Sequence, residues 1–101
     1  MVYLVKKLDC TTKISKKNLD RIAKLKVSGY EPNDYIINLA LEFLEKNQEK
    51  LLQGGFSKEE LKHSTKISKK TLQRLANLKV SGYEPNDFII GRALDLYEEE
   101  K

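Results

Sequence analysis

Cysteine and histidine each occur once in this sequence, proline occurs twice, and no apolar run approaches the length of a membrane span. A lone Cys10 has no partner for an internal disulfide, which fits a reducing compartment. Cys10 and His63 together offer two ligands where a structural zinc needs four, and no second cysteine or histidine completes the set. They also invite a nucleophile–base reading, but small buried residues are the expectation at both positions. The apolar run nearest the start, VYLV (residues 2–5), is too short for a signal-peptide core. It also precedes Lys6 and Lys7, where the charged region should come first. A cytoplasmic chain is expected, with no membrane, metal or cofactor among its partners and no catalytic residues.

What the sequence has in abundance is itself. The decamer LKVSGYEPND runs from Leu25 to Asp34 and again from Leu78 to Asp87. Around it, Thr12–Gln48 aligns without gaps on Thr65–Lys101, identical at 24 of 37 positions with an offset of 53. The expected organisation is a first repeat over 1–53, a linker over 54–61 and a second repeat over 62–101. One such unit buries too little apolar surface to fold well alone, whereas two can share a core.

Charge follows the repeat. Residues 6–26 carry a net +6 and 58–79 a net +5, while 27–57 and 80–101 carry −3 and −4. The same half of each copy is basic, and that recurrence points to a polyanion-binding face rather than a solvated lysine patch.

Ser15 and Ser68 are good N-caps for a helix. Beyond them Leu19, Ile22, Ala23 and Val27 form an apolar stripe, echoed by Leu72, Leu75, Ala76 and Val80, with Lys16, Lys17, Arg21 and Lys24 outside it. Ser28 and Gly29 end that helix. A second helix is predicted from Pro32 to Gln53, with Pro32 and Pro85 at the first helical position and Asp34 and Asp87 in the first turn. Its apolar residues, Ile36, Ile37, Ala40, Leu41 and Leu44, call for the equivalent helix of the second copy as a partner. Ser57 with Glu60 resembles a capping box, which predicts a short helical turn in the linker.

Before each first helix lies an extended stretch, Asp9–Ile14 and Lys62–Ile67. A side-chain period of two puts Cys10, Thr12 and Ile14 on one face and Asp9, Thr11 and Lys13 on the other. His63, Thr65 and Ile67 stand likewise against Lys62, Ser64 and Lys66. Neither strand satisfies its backbone alone, so antiparallel pairing of the two is expected.

Strand, helix, glycine turn, helix, read from TKIS, KKNLDRIAKL or KKTLQRLANL, and PNDYII or PNDFII, resembles the ribbon-helix-helix DNA-binding proteins, the family of the MetJ and Arc repressors. The resemblance covers both repeats, and a tandem single-chain form is similar to regulators of archaea and their viruses. It implies a mainly α fold with a short two-stranded antiparallel ribbon, two tandem units forming an intramolecular pseudo-dimer. It also implies a sequence-specific regulator of transcription that inserts the ribbon into the major groove of double-stranded DNA. The base-contacting residues would be Asp9, Thr11, Lys13, Lys62, Ser64 and Lys66, with Asp9 alternatively neutralising a lysine across the ribbon. Phosphates would be held by Lys16, Lys17, Lys69 and Lys70 and by backbone N–H groups at Asn33, Asp34, Asn86 and Asp87, although Glu31 and Glu84 replace the Ser or Thr that suits a phosphate there. A purely structural turn is the competing account of the decamer.

Tyr30 and Tyr83 either stack on a base or pack over the turn, with core packing expected. Two other functions stay open: an antitoxin-like protein-interaction module and an oligomerising scaffold. Only YEEEK follows the last apolar stripe, so a toxin-wrapping tail is not expected. Self-association along DNA is.

Overall fold

A computed structural model of the chain describes residues 8, 10–47, 61–79, 82 and 84–100. Among them the protein is mainly helical, with one two-stranded antiparallel sheet. The order is β1 (Cys10–Ile14), α1 (Lys16–Leu25), α2 (Asn33–Lys46), β2 (His63–Ile67), α3 (Lys69–Asn77) and α4 (Asn86–Glu100). The anticipated linker lies outside the described residues except for Leu61, and so do the helical turn at Ser57–Glu60, Val80 and Tyr83.

β1 pairs with β2 so that Thr12 faces Thr65, flanked by Thr11–Lys66 and Lys13–Ser64, with Cys10–Ile67 and Ile14–His63 at the ends. Thr12 and Thr65 are counterparts in the two repeats, so the ribbon is symmetric about its middle pair. Alternation holds from Thr11 to Ile14 and from Ser64 to Ile67: Thr12, Ile14, Thr65 and Ile67 are buried, while Thr11, Lys13, Ser64 and Lys66 are exposed. β2 begins one residue later than anticipated. Lys62 precedes β2 and is exposed.

Ser15 and Ser68 cap α1 and α3, their hydroxyls accepting from the N–H groups of Asn18 and Thr71 at 3.2 Å. The apolar stripe is narrower than the sequence suggests. α1 buries Asn18 and Ile22 and half-buries Leu25, a spacing of four and three that forms one helix face, while Ala23 is exposed. Ala76 is exposed in α3 for the same reason. The first helix ends at Leu25, so Val27 leaves the stripe and stands 88% exposed.

Pro32 is the N-cap of α2 rather than its first helical residue. α2 also stops at Lys46, well short of Gln53. Asn47 turns out of the helix at φ −132°, ψ 55°, and its Nδ2 donates to the Phe43 carbonyl at 2.9 Å, satisfying one of the acceptors a helix end leaves open.

α2 and α4 make the most extensive helix–helix contact, joining Ile36, Ile37, Leu41 and Leu44 to Ile89, Ile90 and Leu94 in one core that also takes Ile14 and Ile67 from under the ribbon. Phe43 and Tyr97 meet at its margin, ring centroids 5.6 Å apart. The predicted partnership of the two second helices therefore holds, and one apolar layer serves both repeats.

Candidate nucleic-acid interface

The outer face of the ribbon is built by pairing geometry alone. With Thr12 and Thr65 turned inward at 6% and 8% exposure, Thr11, Lys13, Ser64 and Lys66 must point outward, and all four are exposed. Asp9 lies outside the described residues.

The helix N-termini are fastened directly beneath this face. Asn33 Nδ2 donates to Thr65 Oγ1 and Asn86 Nδ2 to Thr12 Oγ1, each at 2.8 Å, so the start of each second helix is tied to the strand of the other repeat. Asp34 Oδ1 accepts from the Ser68 N–H at 3.1 Å, and Asp87 Oδ1 from the Ser15 N–H at 2.8 Å. Four side chains of the two Asn-Asp pairs thus join one repeat to the other. The sequence alone suggests backbone N–H groups here and a helix-dipole role for the two aspartates; the bonds from these side chains to Thr65, Thr12, Ser68 and Ser15 have no signal in a single repeat, because those partners lie in the other one. The N–H groups of Asn33, Asp34, Asn86 and Asp87 belong to first helical turns, which have no intrahelical acceptors.

Lysine and arginine are used differently here. Lys13, Lys16, Lys17, Lys62, Lys66, Lys69 and Lys70 are all exposed, and none makes an ion pair among the described residues. Arg21, by contrast, reaches Asp95 at 2.6 Å and Glu98 at 2.5 Å on α4. Burial works to lower its pKa, yet those carboxylates hold it above its ordinary value. Arg74 pairs with Glu45 at 2.7 Å on α2, which raises the arginine and lowers the carboxylate. Arg21 and Arg74 fasten helices together, while these seven lysines face solvent.

Glu31 replaces the expected Ser or Thr for an internal reason. Its carboxylate accepts from Ser28 Oγ at 2.6 Å, from the Val27 N–H at 2.6 Å and from the Ser28 N–H at 3.1 Å, closing the turn in which Gly29 takes φ +85°. The residue is 2% exposed. The Ser28 hydroxyl, opposed by burial and aided by backbone N–H groups, holds its carboxyl down at about 2.

Two expectations fail. Tyr30 is 89% exposed rather than packed: it sits in the turn that Ser28 and Glu31 close, its N–H donating to Ser28 Oγ at 3.2 Å and its ring in solvent. His63 is exposed and Cys10 only half-buried, because each begins its strand at an opposite end of the antiparallel ribbon; the two cannot act as a pair. No helix among the described residues is long and apolar enough to cross a membrane. The chain matches no protein-family model, no curated protein and no solved structure.

Proposed function

We propose that the chain is a ribbon-helix-helix protein whose tandem repeats form an intramolecular pseudo-dimer, and that it regulates transcription by sequence-specific binding to double-stranded DNA. The observation that carries this reading is the outer ribbon face, with exposed Thr11, Lys13, Ser64 and Lys66 arranged about the Thr12–Thr65 pair. A two-stranded ribbon fits the major groove of B-DNA, roughly 12 Å wide. There Lys13 and Lys66 donate to guanine O6 and N7, while Thr11 and Ser64 accept or donate as the base requires. Asp9 and Lys62, which precede Cys10 and His63 in sequence, complete the proposed base-contacting set.

Exposed Lys16, Lys17, Lys69 and Lys70 open α1 and α3, where cations oppose the helix dipole and a neighbouring phosphate offsets that cost. The first-turn N–H groups at Asn33, Asp34, Asn86 and Asp87 supply the flanking phosphate clamps. Further chains then align along the duplex. A mobility-shift assay with random and selected duplexes, competitor DNA and a salt series tests the proposal. Binding that weakens steeply with salt but survives competitor on selected sequences supports it. Equal affinity for every sequence, or no shift, overturns it.

A further inference from the structure

Besides the ribbon and the α2–α4 core, the two repeats meet at two equivalent helix junctions, α1 with α4 and α3 with α2, and their sequences differ at both. Asn18 corresponds to Thr71, and Asn38 corresponds to Gly91. Where α1 meets α4, Asn18 is 5% exposed; its Nδ2 donates to Asp87 Oδ1 at 2.8 Å and its Oδ1 accepts from Arg21 Nη1 at 3.2 Å. Opposite it stands Gly91, where an added Cβ would come within 3.3 Å of Asn18 Nδ2. Where α3 meets α2, the asparagine comes from the other helix. Asn38 Nδ2 donates to Thr71 Oγ1 at 2.7 Å and to Asp34 Oδ2 at 3.2 Å, and its Oδ1 accepts from Arg74 Nη1. Each junction therefore holds one carboxamide that bridges an aspartate to an arginine, supplied by α1 in one and by α2 in the other.

We propose that this exchange of asparagine between helices is a pairing code, which fits each repeat to the unlike repeat and rejects a second copy of itself. A junction between two first repeats would set Asn18 against Asn38, placing two carboxamides in a space that accommodates one. A junction between two second repeats would set Thr71 against Gly91, leaving a void and depriving Asp87 and Arg74 of the amide between them. The consequence concerns assembly. Each chain holds one copy of each repeat, so halves that accepted their own kind would join first repeat to first and second to second only between chains, as multi-chain assemblies. Pairing of unlike halves lets a single chain close on itself, where effective concentration favours it. None of this depends on what the ribbon binds.

A double-mutant cycle in the full-length chain, read by thermal denaturation, tests the code. Gly91→Asn recreates the two-asparagine junction and Asn18→Thr the asparagine-free one. Asparagine is a better helix residue than glycine, so destabilisation by Gly91→Asn reports crowding rather than propensity. Each single substitution is expected to lower Tm by about 5 °C or more, and the combined chain, whose junction then copies that of Thr71 and Asn38, to regain most of the loss. Should Gly91→Asn fail to fold, the reverse cycle with Thr71→Asn and Asn38→Gly gives the same readout at the other junction. Losses that add in the double variant, or single substitutions that leave Tm unchanged, overturn the proposal.

Discussion

The Asp87 carboxylate accepts the Ser15 N–H at 2.8 Å across a separation of 72 residues, and Asp34 does the same for Ser68 at 3.1 Å. The helix start of one repeat thereby positions the strand-to-helix corner of the other. Asn33 and Asn86 add the bonds to Thr65 and Thr12. The twice-occurring PND of the decamer is thus the seam of the molecule as well as the opening of a helix.

Cutting that seam has a defined cost. Asp34→Ala leaves the Ser68 N–H without its acceptor in a buried setting, and Asp87→Ala does so for Ser15 in a half-buried one. Each is expected to lower stability by about 1–3 kcal/mol in urea denaturation. A loss below about 0.5 kcal/mol, within the range of ordinary surface substitutions, would show that the bonds across the seam are incidental.

Glu31 gives the fold an acid-sensitive turn. Its carboxyl is held at about 2 against an ordinary 4.5, so its contribution to stability is fully present above pH 4.5 and is lost as pH falls toward 2. Wild type should therefore exceed Glu31→Gln in Tm at neutral pH, with the gap closing through that window. A gap that stays constant from neutral pH to pH 2 would contradict the assignment.

Tyr30 should be dispensable for folding. Standing 89% exposed, Tyr30→Ser is expected to change stability by no more than about 0.5 kcal/mol, and a larger loss would restore the packed role that the sequence suggested.

The mismatch over Tyr30 shows where sequence reading stops. Period-two alternation placed Thr11, Lys13, Ser64 and Lys66 on the outer face, and Ser15 and Ser68 were legible as caps, because these features depend on neighbours along the chain. Spacing alone puts Ala23 and Val27 in the core stripe, because it does not show where α1 ends. The burial of Asn18 is legible only once Asp87 and Arg21 are seen around it. Arg21 and Arg74 counted toward a basic face, yet their partners lie on helices of the other repeat, beyond the reach of any local pattern.

Lysines of the ribbon and of the helix starts should separate in a binding assay. Lys13→Ala and Lys66→Ala are each expected to cost about 1–3 kcal/mol on a selected duplex and to relax preference at one half-site. Lys17→Ala should weaken selected and random duplexes alike and reduce the salt slope by about one. Equal losses on both duplexes for all three variants would remove base reading from the ribbon.

Methylation interference on a selected duplex tests the central claim most directly, because guanine N7 lies in the major groove and adenine N3 in the minor. Ribbon insertion predicts that N7 methylation within one short run of base pairs abolishes binding while N3 methylation there does not. Interference confined to adenine N3, or binding indifferent to both, would contradict it.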